Sequence, residues 1–472
     1  MRTSTRKHRN NKRHMLKLVI TGAAAALLWV TSAQAAAPLN FGILATDDQN
    51  IVELLALKII KMPEMEKAFA ESHKALLAHP AAQTKEGRQT SRQAVEDMAY
   101  YSALAAAIAG DPAHPKIAWM ICAPHVLFGH HAPGSRFALD NPDNAYRITA
   151  IDGAAKYEIS VRVPKSGPAQ FSFLLYDTFM GEDTRMGGGL DKPLGGLRDQ
   201  DIQREADGSF KITIDAEPAN GRVNHIQSKP EARMLLMRNT LADWRTQLPL
   251  DMTIRRVDAV TVVKAQTNAE MDKHAAAILK GGTTALLRFI SEGNKPGQLG
   301  TEGLADAEPN VLSTLWARGG GWGFANHATY KLADDEAWVI TLDPLGAKYL
   351  GFVVATPWTV SREHIRANGS LNNRQARPNA DGSTTYVIAP KDPGVFNWID
   401  TDGLHEGKLM IRWQAVPLEL TSTEGAVRES TVVKLANLAK SLPPNIEKVS
   451  PEQRKKLYAE RALTYAHRYQ PE

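Results

Sequence analysis

Cysteine and the short motifs of common enzymes are scarce or missing in this sequence. Cys122 is the only cysteine among 472 residues, so the chain cannot form an internal disulfide and depends on its hydrophobic core for stability. No Gly-x-Ser-x-Gly, His-Glu-x-x-His or Walker sequence occurs. The usual sequence support for serine hydrolases, zinc proteases and nucleotide-binding enzymes is therefore lacking.

Acidic residues are absent from positions 1–35, which carry seven Lys and Arg. This basic stretch leads into an apolar run from Leu18 to Val30, and Ala33-Gln34-Ala35 supplies the small residues that signal peptidase accepts. The run is shorter than the roughly twenty residues of a membrane-spanning helix. We predict a cleaved signal peptide over 1–35 rather than a retained anchor, a mature chain that begins near Ala36, and a periplasmic or secreted protein without stable membrane insertion.

The formal net charge of +5 comes from that first segment. Without its seven basic residues, 49 Lys and Arg face 51 Asp and Glu in the rest of the chain. A nearly neutral surface lacks the broad positive field that binding to a phosphate backbone requires. We therefore expect no nucleic-acid partner, and the composition indicates no particular oligomeric state.

Hydrophobic periodicity predicts a mainly β protein with helical additions. Apolar spacing typical of helices dominates 36–114, and strict alternation then predicts short strands with tight turns over 115–265. Thr267 and Glu270 have capping-box spacing at the start of a helical connection over 266–317. The glycines that follow, Gly281 and Gly282, predict that this helix ends near residue 280 and that a second short helix covers 284–291.

Alternating strands return over 318–420, and helical spacing returns over 421–472, where the main helical stretch is 429–468. Ser450 and Gln453 form a second capping-box pattern, with proline at the first helical position. The predicted fold is two antiparallel β-sandwich or jelly-roll-like units with N-terminal, inter-domain and C-terminal helices. The sequences of the two units show no detectable repeat.

Polar residues at fixed spacing in the second unit resemble a known family. The segment from Ser370 to Asp400 continues to Ile411-Arg-Trp413, and upstream the chain has Asp140-Asn-Pro-Asp-Asn-Ala-Tyr-Arg147. This resembles the bacterial domain-of-unknown-function 1214 family over about 138–470, most strongly over 368–413. The resemblance implies an exported or envelope-associated protein with two β-sandwich units, and it implies no reaction.

Amide and guanidinium side chains crowd into this segment of the second unit. Such groups suit a sugar or another polar ligand because amides both donate and accept hydrogen bonds and arginine offers a planar fork. Tryptophans in loop-like sequence can stack on such a ligand. We predict that six of these residues converge around one cavity, and Trp322 joins them as a predicted ligand-binding residue. The six are Asn372, Asn373, Arg374, Arg377, Asn397 and Trp398. The alternative is a long loop closed by its own side chains bonding to the backbone.

Two function classes remain open from the sequence. One is an envelope-associated protein that binds a small-molecule or glycan-like ligand through the second unit. The other is a cofactor-free hydrolase, lyase or isomerase in which Asp392 or Asp400 acts as the base. We expect no cofactor. The histidines His125, His130 and His131 form a cluster whose ability to bind a metal stays open, with ordinary loop histidines as the alternative.

Overall fold

The computed structural model of the protein describes residues 43–184, 192–258, 264–291, 308–318 and 321–470. The predicted signal peptide, residues 292–307 of the predicted helical connection and part of the glycine-rich loop before Trp322 lie outside these residues. Within them, no helix is long and apolar enough to cross a membrane.

The helices lie where helical periodicity is strongest. Thr46 and Thr84 cap the first and third helices by accepting hydrogen bonds from Gln49 N and Gly87 N, as expected for N-cap residues. The α-helices of the described chain are α1 (Asp47–Ile59), α2 (Pro63–Ala78), α3 (Lys85–Ala109), α4 (Asn268–Ser291) and α5 (Pro451–Ala466).

The first β unit follows α3. Its strands are β1 (Ala118–Met120), β2 (His125–Leu127), β3 (His130–Ala132), β4 (Asn144–Ala150), β5 (Tyr157–Arg162), β6 (Gln170–Tyr176), β7 (Gly195–Arg198), β8 (Ser209–Asp215), β9 (His225–Gln227), β10 (Met234–Thr240) and β11 (Asp251–Arg256). The large sheet has the order β1-β4-β10-β6-β7 and the small sheet β11-β5-β8-β9, while β2 and β3 form a separate hairpin.

The second β unit follows α4. Its strands are β12 (Trp316–Ala317), β13 (Phe324–Lys331), β14 (Glu336–Leu342), β15 (Tyr349–Ala355), β16 (Ser370–Asn372), β17 (Thr384–Ala389), β18 (Trp398–Asp400), β19 (Glu406–Gln414) and β20 (Val427–Lys434). The large sheet has the order β12-β13-β19-β15-β16 and the small sheet β18-β17-β14-β20. The fold is mainly β with helical additions, as the sequence predicts.

The two units have the same topology. Each strand of the second unit occupies the sheet position of the corresponding strand of the first, and the β8–β9 and β17–β18 pairs are both parallel. The register also agrees: Arg238 lies opposite Tyr146 and Ser172, and Arg412 lies opposite Ala325 and Gly351. The chain therefore contains two structural repeats, although the sequences of the two units show no detectable similarity.

Each sandwich has its own hydrophobic core. Phe173 and Tyr157 are buried in the first, and Trp338 and Trp413 are buried in the second. These residues point inward because alternate side chains of a strand face opposite sides of the sheet. The outward face of the first large sheet is also apolar, and it packs on α1, α3 and α4.

Helix α4 corrects one prediction, because it passes through Gly281 and Gly282 without a break. Gly281 lies against the loop that carries Gly181, and a Cβ atom on Gly281 would stand 2.1 Å from Gly181 O. The pair of glycines that predicted a helix end is instead needed for a close approach between α4 and the first β unit. The capping box of Thr267 and Glu270 is present.

The C-terminal region corrects a second prediction. Residues 427–434 form β20, an edge strand paired with β14, instead of the beginning of a helical stretch at 429. Three of its residues, Arg428, Glu429 and Lys434, are charged and none of its positions is fully buried, as is typical of an exposed edge strand. The capping box of Ser450 and Gln453 is confirmed at the start of α5.

Candidate functional site

A cavity of about 170 Å³ lies where α5 meets the second β unit and a loop of the first. Its walls combine four arginines with two acids, two aromatic rings and several amide or hydroxyl groups. The lining residues are Asp243, Trp244, Arg245, Asn368, Leu371, Arg374, Gln375, Arg377, Phe396, Leu457, Glu460, Arg461 and Thr464. Arginine is therefore in excess over carboxylate in this lining.

The arginines of the cavity differ in how they are held. Arg461 is buried, and its guanidinium donates to Ser370 O at 2.8 Å. Burial, together with nearby Arg468, lowers the pKa of Arg461 to about 10 despite the opposing charge of Asp143. Arg245 pairs with Glu460. Because both guanidinium groups already bond to protein partners, these two arginines have a structural role in the cavity walls.

Arg374 is the arginine whose charge is available. It lies on the cavity wall and is exposed, and among the described residues nothing pairs with its guanidinium. Arg377 is more constrained, because its Nε donates to Glu447 Oε2 at 3.0 Å and its guanidinium lies 4.2 Å from the Phe396 ring centre. An anionic ligand in the cavity would meet Arg374 first.

The predicted asparagines hold the loop together. Asn372 Oδ1 accepts from Arg374 N and Gln375 N, and Asn373 Oδ1 accepts from Leu350 N. Asn397 accepts from Arg377 N at 2.8 Å and donates to Arg377 O at 2.7 Å. This is the alternative that the sequence left open, a loop closed by its own polar side chains.

Trp398 and the two candidate bases are also engaged by protein groups. Trp398 Nε1 donates to Ala389 O at 2.9 Å. Asp392 accepts two hydrogen bonds from Arg454, at 2.9 and 3.2 Å. Asp400 is buried and accepts from Tyr458 Oη at 2.9 Å, and burial raises the pKa of its carboxyl group. Neither carboxylate lines the cavity.

Of the six residues expected to converge, two line this cavity. Arg374 and Arg377 line the cavity, whereas the asparagines and Trp398 point to partners in the surrounding loops. Trp322 lies elsewhere, with the guanidinium of Arg238 5.6 Å from its ring centre. The Asn-rich segment was misjudged because its side-chain amides bond to backbone N–H and C=O groups, and a sequence does not display these partners.

Sequence reasoning missed the residues that distant elements bring to the cavity. Trp244 and Arg245 come from the loop after β10, and Arg461 comes from α5. Trp244 lies beneath Arg461, whose guanidinium is 4.3 Å from the ring centre. No local spacing in the sequence connects these residues with segment 368–379.

The polar segment 140–147 joins the two β units. Asp140 accepts from Ser361 N and Ser361 Oγ at 3.1 and 2.8 Å. The Tyr349 hydroxyl lies 2.7 Å from Asp143 Oδ2 and 3.0 Å from Asn141 Oδ1. These groups are buried, and burying polar groups is tolerable only with partners. We call this set the polar joint.

The histidine cluster is organised by a carboxylate that the sequence did not suggest. His125 Nε2 lies 2.8 Å from Glu53 Oε1, and His130 Nε2 lies 2.7 Å from Glu53 Oε2. Burial alone would lower the pKa of His125, but Cys122 and Glu53 raise it to about 10. His131 is exposed on the hairpin. The described residues contain no group of three or more His, Cys, Asp or Glu arranged to hold a metal ion.

Solved structures similar to this protein support its fold. One is the crystal structure of an uncharacterized protein from Burkholderia cenocepacia, whose sequence is 22% identical to this one. The alignment covers 81% of this chain and 99% of the Burkholderia chain, with a TM-score of 0.61. A Vibrio parahaemolyticus protein is 12% identical over 63% of this chain and 90% of that chain, with a TM-score of 0.36 that adds nothing about the fold. No curated protein matches the sequence.

The family comparison covers β4 to β10 of the first β unit. The matched residues, 138–241, include the polar segment 140–147 and end just after β10. The second-unit segment 368–413, where we found the resemblance strongest, lies outside them. Over these 104 residues the chain is similar to the family described as a protein of unknown function, DUF1214.

Proposed function

We propose that this protein is exported to the cell envelope and binds a polar, glycan-like ligand at the cavity beside Arg374. The observation that carries the proposal is an exposed, unpaired guanidinium on the wall of a cavity with surplus arginine. A guanidinium pairs best with a carboxylate or another oxyanion, often through two parallel hydrogen bonds. The ligand class that fits is an oligosaccharide bearing acidic groups.

Other lining groups support a ligand rich in hydroxyl groups. Asn368, Gln375 and Thr464 place amide and hydroxyl groups on the cavity walls. Such groups both donate and accept, so they complement sugar hydroxyls, which do the same. The cavity is open to solvent beside α5, and its small volume suits one or two sugar units better than a long chain.

The test is a binding measurement with Arg374→Ala. We expect affinity for acidic oligosaccharides, screened by thermal shift and then measured by calorimetry, to fall by about 1–3 kcal/mol, the usual range for losing a charged hydrogen bond. The melting temperature without ligand should hardly change, because Arg374 is exposed and unpaired. Arg366→Ala, which removes an exposed arginine outside the cavity lining, is the matched control and should leave binding intact.

Two results would contradict the binding proposal. One is a screen in which neutral and acidic oligosaccharides both fail to shift the melting temperature of the wild-type protein. The other is an Arg374→Ala variant that unfolds, since the loop would then be a structural element and not a site.

Export has its own test. Mass spectrometry of the protein purified from its native host should give a chain that begins near Ala36. A retained Met1 would refute cleavage of the signal peptide.

The enzymatic alternative finds less support. A general base must reach the proton that it abstracts, so a hydrolase, lyase or isomerase at this cavity would need an available carboxylate facing it. The two acids of the lining are engaged, Glu460 by Arg245 and Asp243 by the hydroxyl of Thr246. Asp392 is held by Arg454 and Asp400 by Tyr458, and neither faces the cavity. We therefore place binding ahead of catalysis.

A further inference from the structure

A second group of arginines lies between the two β sandwiches. We call Arg238, Arg318 and Arg412 the arginine cluster. Arg238 and Arg412 occupy the same position on the corresponding strands β10 and β19, and Arg318 directly follows β12. Arg238 and Arg412 are buried, with 8% and 3% of their surfaces exposed, whereas Arg318 is half-buried.

A hydrogen-bond network brings the cluster together. Gln414 Nε2 donates to Thr240 Oγ1 at 3.1 Å and to Gln170 Oε1 at 3.0 Å, so the ends of β10 and β19 meet. Arg318 Nη1 donates to Gln414 Oε1 at 3.3 Å. Residues two apart on a strand share a face, and Arg238 and Arg412 therefore stand beside this contact.

The positive charges of the cluster act on one another. Burial, followed by the charges of Arg412 and Arg238, lowers the pKa of Arg318 to about 9. At neutral pH the guanidinium still carries its proton. The structure therefore gathers like charges in a partly enclosed space, an arrangement that costs free energy unless an opposite charge is supplied.

In the part of the chain that the structure describes, no group supplies that opposite charge. Among the described residues, no carboxylate forms a salt bridge with any member of the cluster, and Nε and Nη1 of Arg238 and Nε of Arg412 are buried without hydrogen-bond partners. Arg412 does donate from Nη2 to Leu139 O. Buried donors normally find acceptors, so these unsatisfied N–H groups indicate an acceptor that the described residues do not provide.

Trp322 places a further hydrogen-bond donor beside the arginine cluster. Its ring stacks near Arg238, and its buried Nε1 also lacks a partner. Nearby Trp316 has a buried, unpartnered Nε1 as well, and it packs against Leu139 and Met410. Guanidinium and indole N–H groups donate and cannot accept, so the complementary ligand is one that only accepts.

We propose that the arginine cluster binds an oxyanion, the carboxylate or phosphate group of a small molecule, between the two β units. The planar guanidinium forks match oxyanion geometry, and the ring of Trp322 lies beside the guanidinium of Arg238. This site is separate from the cavity beside Arg374, whose lining includes no member of the cluster. Neither proposal depends on the other.

The test compares Arg238→Met with the wild-type chain. Arg238 makes no hydrogen bond through Nε or Nη1, so its replacement removes charge without breaking a bond. Inorganic phosphate and succinate serve as probes at constant ionic strength, with sodium chloride as the balancing salt. We expect a saturable rise in the melting temperature of the wild-type protein with at least one probe, and at least tenfold weaker binding by calorimetry in Arg238→Met.

The ligand-free protein gives a second readout. Removing one of several like charges should leave the melting temperature of Arg238→Met in chloride equal to or above that of the wild type, whereas an arginine needed only for packing would lower it. Arg412→Met should also lose the anion response. Arg374→Ala should keep it, because that arginine belongs to the other cavity.

The two probes distinguish the chemical class of the ligand. A response to phosphate alone indicates a phosphorylated ligand, and a response to succinate alone indicates a carboxylic acid. The proposal is overturned if neither probe stabilises the wild type, or if Arg238→Met and Arg412→Met respond as the wild type does. The latter result would mean that the anions act by general exclusion from the protein surface.

Discussion

The two β units share every sheet position but differ in what covers their large sheets. In the first, Ile148, Leu174 and Leu236 face outward onto the helices. In the second, the outward Val353 and Met410 meet Leu139, with Phe289 of α4 packed against them. The same topology thus supports two different environments. Strand order is set within each sandwich, while the outward faces set the contacts from which sites are built.

Core truncation should have the largest effect and tests whether the units fold together. Phe173→Ala in the first core and Trp413→Ala in the second should each cost about 3–5 kcal/mol, because each removes a fully buried aromatic ring. The polar joint couples the units, so we expect one calorimetric transition that shifts in both variants. Two transitions, with only one displaced by each variant, would show that the units unfold separately.

Disruption of the polar joint should have the next largest effect on stability. Tyr349→Phe removes the hydroxyl beside Asp143 and leaves a buried carboxylate with one partner fewer, for an expected loss of about 1.5–3 kcal/mol. Tyr330→Phe is the matched control, because the buried Tyr330 hydroxyl has no partner. Denaturant unfolding of both variants measures the difference. Equal losses would argue against a specific role of the joint.

The close approach of Gly281 in α4 to Gly181 in the first unit differs from the side-chain packing of Phe289 on the second. Gly281→Ala should destabilise the protein by about 1–3 kcal/mol, since its Cβ would collide with Gly181 O. In Gly282→Ala the new Cβ would stand 3.6 Å from Gly181 Cα, an ordinary contact. Thermal unfolding should therefore find Gly282→Ala neutral or slightly stabilising. A reversed order would mean that α4 ends at Gly281.

The β2–β3 hairpin, which is also peculiar to the first unit among the described residues, predicts a pH effect. The pKa of His125 is raised in the folded state, so protonation stabilises the protein fully below about pH 6.5, and this contribution is lost as pH rises toward 10. The slope should not exceed about 1.4 kcal/mol per pH unit.

Replacement of His125 checks this pH effect. His125→Gln should flatten the loss of stability between pH 6.5 and 9, measured by urea unfolding. His114→Gln, which changes an exposed histidine, should keep the wild-type profile. An unchanged slope in His125→Gln would assign the pH dependence to other groups.

The sequence predicted much of the sheet framework because every second residue of a half-buried strand faces the core and is apolar. Tyr157–Arg162, in which buried residues alternate with more exposed ones, was found for this reason. Strand β20 was missed because an edge strand exposes charged residues and loses the apolar signal. Gly281 was misread because a glycine at a close contact and a glycine at a helix end look alike without the partner.

The sites were harder to predict than the strands. Arg374 was chosen correctly as a residue of the cavity wall, but its amide neighbours were overvalued because their backbone partners could not be seen. Arg238 and Arg412 were not considered at all. They are far apart in sequence and lie within apolar strands, and only the shared register of two units reveals that they correspond.

The repeated topology also creates a hazard during folding. Neighbouring domains of the same architecture can exchange strands as the chain emerges, and the result is a misassembled product. Here the inward position that holds Trp413 in the second unit holds Asn239 in the first, and Asn239 accepts from Arg147 at 2.7 Å. An exchanged strand would bury that guanidinium without its acceptor, at a cost of about 1–3 kcal/mol or more. The difference in inward side chains between the two units thus disfavours strand exchange and keeps each strand in its own sandwich.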